Sequence, residues 1–210
     1  MPKIFIAGSD TGIGKTYISC QLLRFWNQQG LSTIGIKPLA TGCDPYNEDA
    51  LMLQAAASIS LPYEIINPTA LVPPIAPHIA AAEAGIILSA RSLAKDCEPA
   101  FSVSADIQIV EGVGGWLVPL NNQETMADFV MTINAKVILV VGITLGCINH
   151  ALLSYRAMQE STCEILGWIA NCIDPEMLKA QENIEALKSL LPIPCLAIVG
   201  FNETLTELIF

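Results

Sequence analysis

Short apolar runs of strand-forming residues alternate with stretches of helical periodicity along most of this 210-residue chain, and that alternation restricts its fold more than any other property. Lys3–Ala7 (KIFIA), Thr33–Lys37 (TIGIK), Asp106–Val110 (DIQIV), Lys136–Val141 (KVILVV), Leu166–Ala170 and Pro194–Val199 read as strands. Helical patterns cover approximately Lys15–Gln29, Asn47–Ser58, His78–Gly85, Ser89–Phe101, Glu124–Ile133, Ile148–Glu160 and Pro175–Leu190. KVILVV is almost wholly apolar, as expected of a strand covered on both faces. Such alternation predicts an α/β fold, a mostly parallel sheet with helices on both faces. Leu61–Pro77 carries five prolines and reads as an irregular connection. The length suits one domain spanning residues 1–210. Ligands in such folds sit beyond the carboxyl ends of the strands.

Hydrophobic residues make up 52% of the chain and charged residues 14%, enough to build a large core and too apolar for a disordered chain. The formal charge of −10 argues against a broad nucleic-acid-binding surface. It leaves room for one local phosphate site, because such sites rely on backbone N–H groups as much as on net charge. None of the seven cysteines forms a C-x-x-C pair, and scattered thiols in an apolar chain read as small core residues of a reducing compartment. The N-terminus runs straight into a strand without the layout of a signal peptide. The longest apolar run, Val137–Ile143, is about a third of a membrane span. These features predict a cytoplasmic protein with no membrane partner.

The first strand is followed by Gly8-Ser9-Asp10-Thr11-Gly12-Ile13-Gly14-Lys15-Thr16 and then by a helix. This is a variant of the phosphate loop G-x-x-x-x-G-K-[ST]: its last three letters are met, while the first glycine falls on Ser9 with Gly8 one residue earlier. Gly12 and Gly14 let successive N–H groups converge on phosphate oxygens, and the helix N-terminus adds the positive end of its dipole. Lys15 can neutralise the β and γ phosphates, and Thr16 can place its hydroxyl on Mg2+. The expected fold is therefore P-loop NTPase-like.

A phosphate loop needs a carboxylate opposite its Thr to hold the metal. Glu111, at the end of an apolar strand and before Gly112-Val113-Gly114-Gly115, is the leading candidate. Asp49 is the second, although an acid near a helix start also complements the helix dipole. Lys37 ends the strand TIGIK before Pro38, where its side chain either enters the ligand crevice or snorkels from an edge. Thr41 and Gly42 follow in a loop able to bind an anionic or carbonyl ligand.

The chain resembles the dethiobiotin synthetases, ATP-dependent enzymes of biotin synthesis. The matching segments include the loop at Gly8–Thr16, Gly35-Ile36-Lys37-Pro38 with Thr41-Gly42, and Asp49-Ala50-Leu51. They continue through Asn67-Pro68, Ala76-Pro77-His78-Ile79, Val110–Trp116 (VEGVGGW) and Val137–Gly142. Leu145–His150 (LGCINH) and Gly167–Asn171 (GWIAN) complete them. The resemblance implies a cyclo-ligase that joins 7,8-diaminononanoate and CO2 through a carbamate and a carbamic–phosphoric anhydride, releasing ADP and phosphate. It implies that Lys15 and Lys37 are electrostatic catalysts and that Thr16, Asp49 and Glu111 organise Mg2+. Thr11 and Thr41 would contact the diamine or its carbamate. Gly12, Ile13, Gly14, Lys15, Thr16 and Tyr17, together with Asp49, Glu111, Gly112, Val113 and Gly114, would line the nucleotide. Asn171 would read adenine, with Cys172, Gly200, Phe201 and Asn202 around the base. It further implies a homodimer in which Leu145, Gly146, Cys147, Ile148 and Asn149 of the partner cradle the substrate tail.

Three positions depart from the family's usual pattern: Gly12, Cys172 and the Val199-Gly200-Phe201-Asn202 turn. They bear on base selectivity more than on the chemistry. His78 and His150 read as structural residues. The alternative class is a nucleotide-switch ATPase of the partition or septum-site type, which typically carries a further lysine early in the loop, where Ser9, Asp10 and Thr11 stand. An amidotransferase-type synthase would need a glutaminase partner domain that the sequence does not supply.

Overall fold

The computed structural model of the chain describes residues 2–209. Its elements run β1 (Lys3–Gly8), α1 (Lys15–Gln28), β2 (Thr33–Ile36), β3 (Leu39–Thr41), α2 (Glu48–Ala56), α3 (Tyr63–Ile66), β4 (Thr69–Leu71), α4 (Pro77–Glu83) and α5 (Ala90–Asp96). They continue with α6 (Glu98–Phe101), β5 (Ile107–Glu111), α7 (Met126–Thr132), β6 (Lys136–Gly142), α8 (Cys147–Gln159), β7 (Ile165–Asn171), α9 (Ala180–Leu190) and β8 (Cys195–Val199). Six strands form one sheet in the order β2-β5-β1-β6-β7-β8. Each pairing in it is parallel.

Side-chain alternation along the strands divides the core in two. Ile4 and Ile6 of β1, with Ile138 and Val140 of β6, face Ile18, Leu22 and Leu23 of α1. Phe5 and Ala7, with Leu139 and Val141, belong to the opposite cluster, which includes Phe129 and Val130 of α7 and Ala151 and Met158 of α8. Successive residues of a strand point to opposite faces, so a run such as KVILVV must be apolar throughout when helices cover both sides. Burial of these side chains, at about 25 cal/mol per Å2 of apolar surface, is the main force holding the layers together.

The structure departs from the sequence reading at three places. The proline-rich connection holds the short α3 and β4, and β4 pairs in parallel with β3 in a separate two-stranded sheet, in register Leu39↔Thr69 to Thr41↔Leu71. The Ser89–Phe101 stretch is two helices divided at Cys97, two residues before Pro99, whose ring and missing N–H interrupt a continuous ladder. The last helix begins at Ala180 rather than Pro175, because Lys179 adopts a left-handed φ of 62°.

Candidate active site

β1 lies between β5 and β6, so its carboxyl end opens at the middle of the sheet. The phosphate loop leaves from that end, and Gly14 (φ 79°) turns it into α1. A side chain at Gly14 would collide with the Asn171 amide at the end of β7. Gly8 leaves room for the loop to fold back: an added Cβ there would stand 2.9 Å from the Asp10 carbonyl oxygen and 2.6 Å from Lys15 Nζ. The Lys15 ammonium folds back over Gly8 and donates to the Asp10 carbonyl at 2.9 Å.

The strand ends deliver the remaining groups. Glu111 ends β5, next to β1, and accepts a hydrogen bond from the Thr16 hydroxyl at 2.7 Å. Lys37 follows β2, next to β5, and its ammonium lies 2.6 Å from Glu111 Oε1 and 2.9 Å from Asp49 Oδ2. It also donates to the Gly112 carbonyl at 3.2 Å. Lys37 is thus an interior cation rather than a snorkelling edge residue, and Asp49 is its ion-pair partner as well as a first-turn acid of α2. Thr11, Gly12, Gly14, Lys15, Thr16, Lys37, Thr41, Asp49, Glu111, Val113 and Gly114 line one cavity of about 420 Å3.

Burial sets the electrostatics. Desolvation, followed by the nearby charge of Lys37, brings the Lys15 pKa down to about 8. Burial alone would depress Lys37 as well, but the Glu111 and Asp49 carboxylates outweigh it and hold its pKa above that of a free lysine. Burial pushes Asp49 upward, and the Lys37 ammonium more than reverses this, leaving its carboxyl below the usual range. Glu111 Oε2 is buried and has no hydrogen-bond partner among the described residues. A buried carboxylate oxygen without a partner is costly, so it is poised for a donor or a cation. No trio of His, Cys, Asp or Glu side chains gathers to hold a metal among the described residues. Two carboxylates and a hydroxyl beside a phosphate-loop motif nevertheless suit Mg2+, which takes oxygen ligands and completes its shell with phosphate and water.

A second cavity, of about 110 Å3, adjoins the first at Gly14 and is lined by Tyr17, Asn171, Cys172, Ile173, Phe201 and Asn202. Asn171 Nδ2 donates to the Ile13 carbonyl at 2.9 Å, so one amide hydrogen is committed within the chain. Ile13 itself is a core side chain, and Gly200 opens the turn carrying Phe201 and Asn202.

The segment Leu145–Asn149 is not part of either cavity of its own chain. Leu145 is 95% exposed and Cys147 is buried. Sequence reasoning passed over two residues with a hand in the site. Asn47 lines the larger cavity and caps α2 through Ala50 N at 3.1 Å. Asn67, which is buried, donates to the Lys37 carbonyl at 2.6 Å and so fixes the backbone behind the ammonium. Asn47 carried a readable signal as an N-cap type before a helical run. Asn67 carried none beyond its place in a motif.

The fold and the loop together define a protein of the P-loop NTPase class. A family profile described as "AAA domain" matches residues 2–208. Solved structures with a similar fold include the septum site-determining protein MinD complexed with Mg-ADP from Pyrococcus horikoshii, at TM-score 0.60 and 16% identity, covering 95% of this chain and 81% of that one. A ParA family ATPase from Chlorobium tepidum aligns at TM-score 0.58 and 13% identity, covering 96% and 85%. Identities this low speak to the fold alone. Curated relatives are far nearer in sequence. The ATP-dependent dethiobiotin synthetase of Pseudomonas aeruginosa is 46% identical over 98% of this chain and 92% of its own length. That of Pseudoalteromonas translucida is 43% identical over 99% and 94%. The chain belongs to the ATP-dependent dethiobiotin synthetases, ligases of biotin biosynthesis.

Proposed function

We propose that residues 1–210 act as one ligase domain that converts 7,8-diaminononanoate and CO2 to dethiobiotin with Mg2+ and ATP. One amine attacks CO2, forming an N–C bond and losing a proton to give a carbamate. A carbamate oxygen takes the γ-phosphoryl group as ADP leaves. The second amine attacks the carbonyl carbon of the mixed anhydride, closing a cyclic urea as phosphate departs. Negative charge grows on the carbamate and the transferring phosphoryl group, and the two lysines are set to meet it. Lys15 takes the phosphates; Lys37, charged because its carboxylate partners outweigh desolvation, takes the carbamate and phosphoryl oxygens. Thr11 and Thr41 hold the diamine or its carbamate by hydroxyl hydrogen bonds. Thr16, Asp49 and Glu111 would hold Mg2+, which neutralises phosphate charge when bound.

Asn171 offers its free amide atoms to the adenine edge, between Cys172 and the Gly200-Phe201-Asn202 turn. Leu145, Gly146, Cys147, Ile148 and Asn149 serve the partner's site in a homodimer, which would cover the 95% exposed Leu145, while Cys147, its side chain buried in its own core, would contribute backbone alone. No helix among the described residues is long and apolar enough to cross a membrane, in keeping with a cytoplasmic setting. The observation that carries this reading is the meeting of Lys15, Thr16, Lys37, Asp49 and Glu111, from four separate segments, around one cavity. The test is incubation with the diamine, bicarbonate, Mg2+ and ATP, followed by mass spectrometry. Dethiobiotin and ADP in equal amounts are expected, and ADP without the cyclic urea would overturn the assignment.

A further inference from the structure

β1 and β6 are neighbouring parallel strands, with Gly8 paired to Val140, so the segments leaving their carboxyl ends run side by side. One is the phosphate loop and the other is the turn into α8. Ser9 N donates to the Val140 carbonyl at 3.0 Å. Beyond that contact, His150 Nδ1 lies 3.5 Å from Asp10 Oδ2, both side chains being about half exposed. The other Asp10 oxygen accepts from Thr11 N at 2.7 Å. The Asp10 backbone carbonyl is the group that receives Lys15 Nζ. Neither His150 nor Asp10 lines the 420 Å3 cavity.

The two ends of this contact differ in how they are anchored. His150 sits in the first turn of α8, where its N–H donates to the Gly146 carbonyl at 3.2 Å. Cys147, Ala151, Tyr155 and Met158 pin that helix to the core along one buried stripe. Asp10 belongs to an exposed loop.

We propose that His150 is a positioning residue for the nucleotide: through Asp10 it holds the Ser9–Thr11 arch in the shape that places Lys15. This rests on the reading of the larger cavity as the phosphate site. A loop arranged before the ligand arrives spares the ordering cost of binding. An exposed pair adds little to the stability of the fold, so its effect is read in nucleotide affinity.

The experiment is titration calorimetry of Mg-ADP onto the full chain, with urea midpoints measured in parallel. His150→Ala should weaken Mg-ADP binding about threefold, the scale an exposed polar pair supports. Asp10→Asn keeps an acceptor for Thr11 N but loses the charge facing His150, and should do the same. The double variant should bind no more weakly than the weaker single variant. His150→Lys, which places an ammonium donor on the same turn, should recover affinity, and all urea midpoints should stay together. Unchanged affinity in His150→Ala, additive losses in the double variant, or failure of His150→Lys to recover would each overturn the proposal. A fall in urea midpoint parallel to the loss of affinity would reduce His150 to a folding role and overturn it too. Absence of Mg-ADP binding by the unsubstituted chain would overturn the phosphate-site reading itself, and this inference with it.

Discussion

The two halves of the candidate nucleotide site are built on different principles. At the phosphate end, Thr16, Glu111, Lys37 and Asp49 form a continuous chain of charge-assisted contacts, with Lys37 3% and Glu111 1% exposed. At the base end, a small cavity is walled by a half-buried thiol, a 48% exposed Phe201 and an asparagine whose amide already serves the Ile13 carbonyl. Buried ions must be paired or pay heavily for lost hydration. The phosphate end is therefore fixed by its own electrostatics before any ligand arrives, whereas the base end is a slot with one directed polar side chain. Substitutions at the first should act on chemistry and stability together, and substitutions at the second on affinity alone.

The largest effects are expected at the two lysines. On the proposed mechanism, Lys15→Ala should abolish ATP turnover and Lys37→Ala should lower kcat by about a thousandfold, since each would remove a charge that meets developing negative charge. Lys37→Ala also strands Glu111 as a buried carboxylate, at a cost of about 3–5 kcal/mol in urea unfolding. Pairing it with Glu111→Gln, which removes the stranded charge, should recover most of that stability and none of the activity. Recovery of both would mean that Lys37 is only a structural counter-ion.

The next effect concerns pH. On the proposed reading the Lys15 ammonium is the form that would bind phosphate, and its pKa stands at about 8 through burial and the neighbouring Lys37 charge. The charged form dominates below that value and is lost above it, so affinity for Mg-ADP, read by titration calorimetry, should be level below about pH 8 and fall by up to about tenfold per unit beyond it. Lys37, shifted the other way, stays charged through the same range. Lys15→Arg, ionised throughout, should retain little activity but lack this fall. A wild-type profile level to pH 10 would detach Lys15 from the phosphates.

The chain order made the phosphate end legible and left its wiring hidden. Lys15 and Thr16 are adjacent, and Glu111 and Lys37 each follow a recognisable strand, so all could be assigned to the same edge of the sheet. The order β2-β5-β1 is what brings Lys37 within 2.6 Å of Glu111, and no local pattern encodes strand order. The approach of His150 to Asp10 depends in the same way on β1 lying beside β6; the sequence placed His150 on its helix but not against the loop. The β3–β4 pair escaped notice because three-residue strands are too short to show a period. At Pro175 the helix start was misplaced, since a proline suits the first turn of a helix but does not oblige one to begin.

The smallest effects should fall at the base end, and they test whether the contrast between the two halves is real. Asn171→Ala removes the donor to the Ile13 carbonyl as well as the polar edge offered to the base, and should raise KM for ATP about tenfold while leaving kcat near its starting value. Phe201 contributes a half-exposed ring to the wall of the small cavity. Base–aromatic stacking is worth about 1 kcal/mol at its low end, so Phe201→Ala should raise KM about fivefold, with no change in the urea midpoint. Steady-state kinetics with ATP varied at saturating diamine separates the two constants. A loss confined to KM keeps the base end a matter of affinity. A fall in kcat on the scale of the Lys37 variants would show that placing the base governs phosphoryl transfer, and the division between the two halves would collapse.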